Sequence, residues 1–82
     1  MEAIEQRVSE VIRRRLDGDV DLEVAPDGYV IGHVISGQFD DTDYEQRRRL
    51  LWSILREELG PDELERISTL LTYTPEEWNV TL

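Results

Sequence analysis

The run from Tyr29 to Ile35 is apolar at both odd and even positions, and this pattern constrains the fold more than any other. A strand with one wet face alternates polar and apolar residues, whereas a strand apolar at both parities is typical of the centre of a sheet. The preceding segment, 19–24, does alternate. Pro26-Asp27-Gly28 between the two segments supplies turn residues. The sequence therefore predicts two strands joined by a turn, the second of them central.

Two longer segments have the period of amphipathic helices. The first, about residues 2–16, ends in arginines that complement the helix dipole and is stopped by Gly18. The second begins at Thr42, which forms a capping-box pattern with Glu45, and it ends at Leu59-Gly60-Pro61. Its predicted inner side consists of Tyr44, Leu51, Ile54, Leu55 and the alkyl stem of Arg48.

A third strand and a last helix complete the chain. Residues 62–66 have room for a helical turn or two, and Ile67–Tyr73 is rich in the Ile, Thr and Tyr that strands favour. Thr74-Pro75-Glu76-Glu77 is a capped helix start, with the threonine as cap and the second glutamate returning the bond. We expect Trp78 to fold back on the core.

The predicted element order is α-β-β-α-α-β-α. The second and third strands are joined through helices, so they can lie parallel by a right-handed crossover. All helices then cover one face, which gives a two-layer α+β domain with a three-stranded mixed sheet. No linker or internal repeat divides the sequence, so residues 1–82 are predicted to form a single domain.

Missing residue types exclude several kinds of site. The chain has no cysteine, which removes disulfides, thiolate metal sites and cysteine nucleophiles. Its one histidine, His33, cannot form a His–His metal pair within the chain. No serine has a neighbouring histidine base, and no carboxylate pair stands out as a catalytic dyad. We therefore predict no catalytic residues and no enzymatic activity.

Charge and hydropathy limit the partners. The net charge of −10 opposes binding to nucleic-acid phosphates over most of the surface. All nine basic residues are arginine, a composition consistent with either a salt-adapted cytoplasm or GC-rich codon usage. No apolar run approaches the roughly 18 residues of a membrane span, and the amino terminus lacks a signal-peptide pattern. A cytoplasmic protein without membrane contact is expected.

Four segments resemble the BolA family of small regulatory proteins. They are Val20–Val24, Ser36–Phe39, Arg49 with Leu59 at the helix end, and Thr72–Trp78. The last segment is the most specific, and the likeness runs from about Asp19 to Trp78. The resemblance implies the BolA fold, a variant of the type II KH arrangement. It also implies a non-enzymatic adaptor or regulator, whose family members partner monothiol glutaredoxins and share an iron–sulfur cluster with them.

The cluster ligands that this resemblance implies are replaced in the chain. The family has a ligating histidine just before the third strand, and the register set by Thr72–Pro75 puts Arg66 there. Another frequent family histidine corresponds to Arg48, and the loop Ala25–Gly28 offers neither cysteine nor histidine. Arginine is always protonated and has no lone pair for iron. We therefore predict no cofactor and no metal site, with His33 a structural residue.

A KH-like arrangement leaves one alternative function open, which is nucleic-acid binding by a transcription regulator. Its candidate residues are the arginines of the second helix, Arg47 and Arg48. Three consecutive helical residues fan over about 200°, so the run Arg47–Arg49 cannot face one ligand. The chain also lacks the Gly-x-x-Gly loop of KH domains. Pairing with nearby acids is the simpler interpretation of these arginines, and nucleic acid is the less favoured partner.

The outer face of the sheet is the predicted protein-contact surface. Strand parity in the family directs the even residues of the central strand toward the helices. An open face with two isoleucines is more apolar than a monomer needs, so a second copy of the chain, another protein or the tail 80–82 would cover it. The predicted partner-binding residues are Tyr29, Ile31, His33 and Ile35 on this face, with Arg47, Arg48 and Arg66.

Overall fold

A computed structural model describes residues 2–81 and confirms the predicted element order. A short 3₁₀ turn, Gly37–Phe39, precedes the second helix. None of the helices in the described part of the chain is long and apolar enough to cross a membrane. The elements are α1 (Ile4–Arg15), β1 (Asp19–Val24), β2 (Val30–Ile35), α2 (Tyr44–Glu58), α3 (Pro61–Glu65), β3 (Ile67–Tyr73) and α4 (Pro75–Thr81).

The sheet has the strand order β1-β2-β3, so the apolar strand β2 is central as predicted. β1 pairs with β2 in antiparallel register, with Val20 opposite Val34 and Asp21 opposite His33. β3 pairs with β2 in parallel, with a bulge between Val30 and Ile31. Within residues 2–81, β3 has no strand on its other edge, and its sequence contains no charged residue.

One hydrophobic core lies between the sheet and the helices α1 and α2. Alternation along the strands places the inward residues of all three strands in this core. Among the described residues, Phe39 from the 3₁₀ turn is the largest fully buried side chain of this core. The other main contributors are Val8, Val11 and Ile12 of α1, Leu51, Ile54 and Leu55 of α2, and Val20, Val30, Val34, Ile67 and Leu70 of the sheet.

Gly18 allows the chain to turn sharply from α1 into β1. Its φ is +101°, and a Cβ there would overlap the carbonyl oxygen of Ile35 and lie 2.9 Å from its carbonyl carbon. Gly28, in the β1–β2 turn, has a φ of +90° but nothing within 4 Å of a Cβ position. The first glycine is therefore required by both conformation and space, and the second by conformation alone.

The start of α2 differs from the prediction by one residue. Asp43, and not Thr42, caps the helix: its carboxylate accepts from the Gln46 N–H at 2.8 Å, and Gln46 Oε1 accepts from the Asp43 N–H at 2.9 Å. The Thr42 hydroxyl instead donates to the Phe39 carbonyl oxygen. Thr42 was a reasonable candidate because it also matches the cap pattern, but its hydroxyl is used by the preceding turn.

The predicted inner side of α2 is wrong at two positions. Tyr44 is 59% exposed, and Arg48 is also exposed. The arginine that lies against the rest of the molecule is Arg47, whose side chain is only 11% exposed. Neighbouring residues of a helix point about 100° apart, so an inner side that was predicted to begin at Tyr44 placed Arg48 inward in place of Arg47.

Ion pairs fasten α1 to the second and third helices. Arg14 and Arg15 both pair with Glu58, at 2.5 and 3.0 Å, and Arg7 Nε donates to Glu63 at 2.6 Å. Bonding to Arg15 lowers the pKa of Glu58, and the Gly60 N–H, followed by Arg7, lowers the pKa of Glu63. The arginines at the end of α1 therefore hold two helices together as well as complementing a helix dipole.

Candidate protein-interaction site

Arg66 lies at the end of α3, immediately before β3, where the resemblance placed a cluster ligand. Its side chain is exposed, and Nη2 donates to the Gly28 carbonyl oxygen at 3.3 Å. The guanidinium thus reaches across to the β1–β2 turn. A shallow cavity of about 370 Å³ lies here, lined by Asp27, Gly28, Tyr29, Asp62, Glu65 and Arg66. The loop and the arginine together form one polar rim next to the sheet.

The donor atoms at this rim do not fit an iron–sulfur cluster. The guanidinium has no lone pair to donate, and the adjoining loop contains neither cysteine nor histidine. His33 lies mid-strand in β2, paired across the sheet with Asp21 and Leu71, and not at the rim. In residues 2–81, no group of three or more His, Cys, Asp or Glu side chains is placed to hold a metal ion.

The outer face of the sheet is only partly open. Tyr29 is 44% exposed and so is Leu71 of β3, a residue that the sequence reasoning did not assign to this surface. Ile31 and His33 are partly buried. Ile35, predicted to line the open face, is only 7% exposed and lies outside the main core cluster. The accessible apolar part of the face therefore lies in two places: Tyr29 at the end next to Arg66, and Leu71 on β3, opposite His33 in the middle of the sheet.

An aromatic cluster covers the other end of this face. Trp78 of α4 stacks on His33, with ring centroids 4.5 Å apart and planes at 25°. Tyr73 contacts Trp78 edge-on at 5.3 Å and His33 at 6.3 Å. Trp78 was expected to fold back on the core, but it is not part of the core cluster. His33 alternates with the core residue Val34, so the tryptophan lies on the opposite side of the sheet.

The tail 80–82, which was one expected cover of this face, is described only in part. Val80 is 81% exposed and does not shield the sheet, whereas Leu82 and the side chain of Thr81 lie outside what the structure describes. Nothing in the linear sequence shows that Trp78 stacks on His33, because the two residues are 45 positions apart. The one hint in the sequence was that a tryptophan ring is amphipathic and can therefore pack at a partly exposed position, such as the face on which His33 lies.

Arg47 is engaged in contacts within the molecule. Its Nη1 and Nη2 donate to the two carboxylate oxygens of Glu77 at 2.6 and 3.1 Å, and its Nε donates to the Thr42 hydroxyl at 3.2 Å. The Arg47 guanidinium, followed by the Thr74 N–H, lowers the pKa of Glu77 to about 2. This predicted partner-binding residue joins α2 to α4 and is a structural group.

Arg48 lies on the exposed side of α2. Its guanidinium carbon is 5.7 Å from the centre of the Trp52 ring, a cation–π distance. An open groove of about 290 Å³ lies along this side, lined by Glu45, Arg48, Arg49, Trp52 and Arg56. The structure therefore separates the predicted arginines into three places: Arg47 between helices, Arg48 on this groove and Arg66 at the rim of the sheet.

Similar architectures are found among solved structures. BolA1 from Arabidopsis thaliana superposes with a TM-score of 0.70 at 22% identity, covering 94% of this chain and 98% of that one. The BolA domain of SufE1 from Arabidopsis thaliana gives 0.74 at 19% identity, with the same coverage. A Bol-like protein from Babesia bovis gives 0.71 at 22% identity, covering 99% and 94%. This chain has the BolA-like fold.

The BolA-like fold confirms the architecture that the sequence predicted, an α+β arrangement with a three-stranded mixed sheet. No protein-family model matches the sequence, and no curated protein sequence matches it. At 19–22% identity, a shared fold does not fix a shared activity. The function of this BolA-like chain must therefore be argued from its own surfaces.

Proposed function

We propose that this chain is a non-enzymatic BolA-like adaptor or regulator. It binds a protein partner through the outer sheet face near Arg66, and it supplies no histidine ligand to an iron–sulfur cluster. The observation that carries the proposal is the exposure of Tyr29 and Leu71, both at 44%, on the same face. Aromatic residues and arginine are enriched at the energetic centres of protein interfaces, and this end of the face offers both types.

A monothiol glutaredoxin is the partner we propose for this surface. The position before β3 is where the family resemblance puts the shared ligand, so a partner of that kind would sit over Arg66. Here it would meet a guanidinium that already donates to Gly28 and a flanking Tyr29. Contact would then depend on apolar burial and hydrogen bonding and not on iron. One of the solved structures is itself the BolA domain of another protein, SufE1, which agrees with a fold that works in association.

Binding is tested by titrating the chain with a cluster-free monothiol glutaredoxin in a calorimeter. We expect Tyr29→Ala to weaken the affinity about tenfold or more, the size of effect seen at interface centres. Tyr44→Ala is the matched control, because Tyr44 is similarly exposed but lies at the start of α2. Leu71→Ser and Val80→Ser form a second pair of the same design. Equal effects within each pair would remove the outer face from the proposal.

A second copy of the chain is the other occupant that this face could take. Sedimentation equilibrium distinguishes it, since a dimer lost on Leu71→Ser and kept on Val80→Ser would assign the face to self-association. A monomer at micromolar concentration leaves the face for the glutaredoxin. The loss of ligation is tested separately, with cluster-loaded glutaredoxin and visible circular dichroism. A stable heterocomplex with a new cluster spectrum would show that the chain does ligate the cluster.

Nucleic-acid binding is the second candidate, and the exposed Arg48 beside Trp52 is the observation in its favour. Arg47, its other proposed contact, is held by Glu77. The net charge of −10 also opposes a polyanion. Binding of single-stranded DNA that falls steeply with salt and is lost on Arg48→Glu would favour this candidate over an adaptor.

A further inference from the structure

Most arginines of this chain are neutralised internally, and the exceptions lie together. Within residues 2–81, Arg48 and Arg56 take part in neither an ion pair nor a hydrogen bond. Both lie on α2 and both are exposed. The other seven are engaged: Arg7, Arg14, Arg15, Arg47 and Arg49 in ion pairs, Arg13 with the Val20 carbonyl oxygen and Arg66 with the Gly28 carbonyl oxygen.

Arg48, Trp52 and Arg56 form one stripe along α2, because residues four apart lie on the same side of a helix. With a rise of 1.5 Å per residue, the two arginine positions are about 12 Å apart along the helix axis. Trp52 lies between them, half-buried against the core, so its ring is held in place. The stripe forms the floor of the groove of about 290 Å³.

Arg49 can add a third positive charge to this stripe. Among the described residues its one ion pair is with Glu45, one turn away at 3.2 Å, and both side chains are about three-quarters exposed. Ion pairs between such exposed side chains are weak, so an incoming carboxylate can displace the glutamate. The groove thus combines local positive charge with an aromatic floor in a molecule whose net charge is −10.

We propose that this groove binds an acidic segment of a partner protein. The matching segment has two carboxylates about 12 Å apart and an apolar side chain between them to cover Trp52. That spacing corresponds to about eight residues of a helix or about four residues of an extended chain. Arg48 and Arg56 receive the carboxylates, and the Trp52 ring receives the apolar side chain.

The extent of the positive charge favours a polypeptide over a nucleic acid. Glu45 lines one end of the groove, and the molecule as a whole carries a net charge of −10. A nucleic-acid strand carries a phosphate at about every 3.4 Å and would run beyond the arginines onto an acidic surface. A short acidic segment can end where the arginines end. The inference goes beyond the proposed function, because the groove is on the helical layer and leaves the outer sheet face free for its own partner.

The test uses a fluorescein-labelled helical peptide of alanine and glutamine with glutamates eight residues apart and leucine midway. Fluorescence anisotropy at low salt measures its binding to the full chain. Arg48→Gln combined with Arg56→Gln changes the net charge from −10 to −12 and should weaken binding at least tenfold. Ala3→Glu combined with Gln6→Glu gives the same net charge of −12 through two exposed positions at the start of α1. This control should change the affinity less than twofold.

Every outcome decides the proposal. Loss in the arginine variant with retention in the charge-matched control supports it, as does loss of binding by a peptide with glutamine in place of both glutamates. Equal binding by the two protein variants overturns it, since only net charge would then matter. Absence of binding by the unaltered chain at millimolar peptide overturns it as well. Tighter binding of single-stranded DNA with the same dependence on Arg48 and Arg56 would assign the groove to nucleic acid instead.

Discussion

Arg47 and Glu77 form a two-point ion pair that joins the second helix to the first turn of the last one. The two N–O distances are 2.6 and 3.1 Å, and the arginine side chain is 11% exposed. Glu77 also accepts from the Thr74 N–H at 2.9 Å, so one carboxylate both caps α4 and anchors it. The position of Trp78 on the sheet follows from this anchor, because it is the next residue in the helix.

The anchor should make stability depend on acid. The pKa of Glu77 is lowered from an ordinary 4.5 to about 2, first by Arg47 and then by the Thr74 N–H. A lowered pKa contributes stability that is fully present above pH 4.5 and is lost as the pH falls toward 2. Urea denaturation between pH 2 and 6 should show this loss. Glu77→Gln should remove that part of the pH dependence, whereas Glu76→Gln, its neighbour, should keep it.

Replacing Thr72 by valine should stabilise the protein. The Thr72 hydroxyl is buried in β3, and within the described residues it has no hydrogen-bond partner. Removing a buried unpaired hydroxyl at nearly constant shape should raise the free energy of unfolding by about 1 kcal/mol. Thr74→Val is the control: the Thr74 hydroxyl accepts from the Glu77 N–H, so its loss should cost about 1 kcal/mol. Chemical denaturation measures both, and a destabilised Thr72→Val would mean that a partner is present.

Substituting alanine for Gly28 and for Gly18 should distinguish the cost of a strained φ from the cost of a steric overlap. Gly28→Ala adds a Cβ at φ +90° in open space and should cost about 1–2 kcal/mol. Gly18→Ala adds one at φ +101° that also collides with the Ile35 backbone, so we expect a cost of about 3 kcal/mol or more. Thermal unfolding of the two variants gives the comparison. Similar losses of stability at both positions would show that the backbone at Ile35 shifts easily to make room for the added Cβ.

The stacking of Trp78 on His33 should appear as a coupling energy. Aromatic pairs in such contact contribute about 0.5–1.5 kcal/mol beyond the area they bury. A double-mutant cycle of His33→Ala and Trp78→Ala, followed by urea denaturation, measures it. The cycle of His33→Ala with Trp52→Ala is the reference, since Trp52 lies on the helical layer and should give a value near zero. Equal couplings in the two cycles would contradict the contact.

Arg66→His should restore the ligand that the family resemblance implies. The variant should form a heterocomplex with cluster-loaded monothiol glutaredoxin whose visible circular dichroism differs from that of the glutaredoxin alone. Arg56→His is the control, because Arg56 is an exposed residue of α2 that does not line the cavity at the rim. The fold should tolerate both changes, since each side chain is exposed. A new spectrum with the unaltered chain would show that another residue ligates the iron.

The sequence predicted best those features that local chemistry decides. The bounds of β3, Ile67–Tyr73, and the cap formed by Thr74 and Glu77 are confirmed, because both depend on residues that are neighbours in the chain. The centrality of β2 is confirmed as well, since a strand apolar at both parities has few alternatives.

Features decided by packing between distant segments were not accessible in the same way. Helical periodicity left two adjacent arginines as candidates for the inner side of α2, and only the position of Glu77 selects Arg47. From the sequence, Trp78 could pack either on the core or on the outer face of the sheet. Its stacking on His33 of β2 places it on the outer face. Leu71 is exposed although its strand is apolar, because it alternates with the buried Leu70 and Thr72 and therefore points to the outer face of the sheet.

The uncharged free edge of β3 also affects how the protein behaves in concentrated solution. Such an edge can template strand addition from another molecule and so begin fibrous aggregation, whereas acidic residues guard the β1 edge. The β3 edge has no charged residue of its own, so the repulsion between molecules of net charge −10 is its protection. That repulsion extends only about 10 Å at 0.1 M salt and about 3 Å at 1 M. We therefore expect the folded protein to aggregate faster as ionic strength rises, because screening weakens the repulsion that keeps this edge away from other molecules.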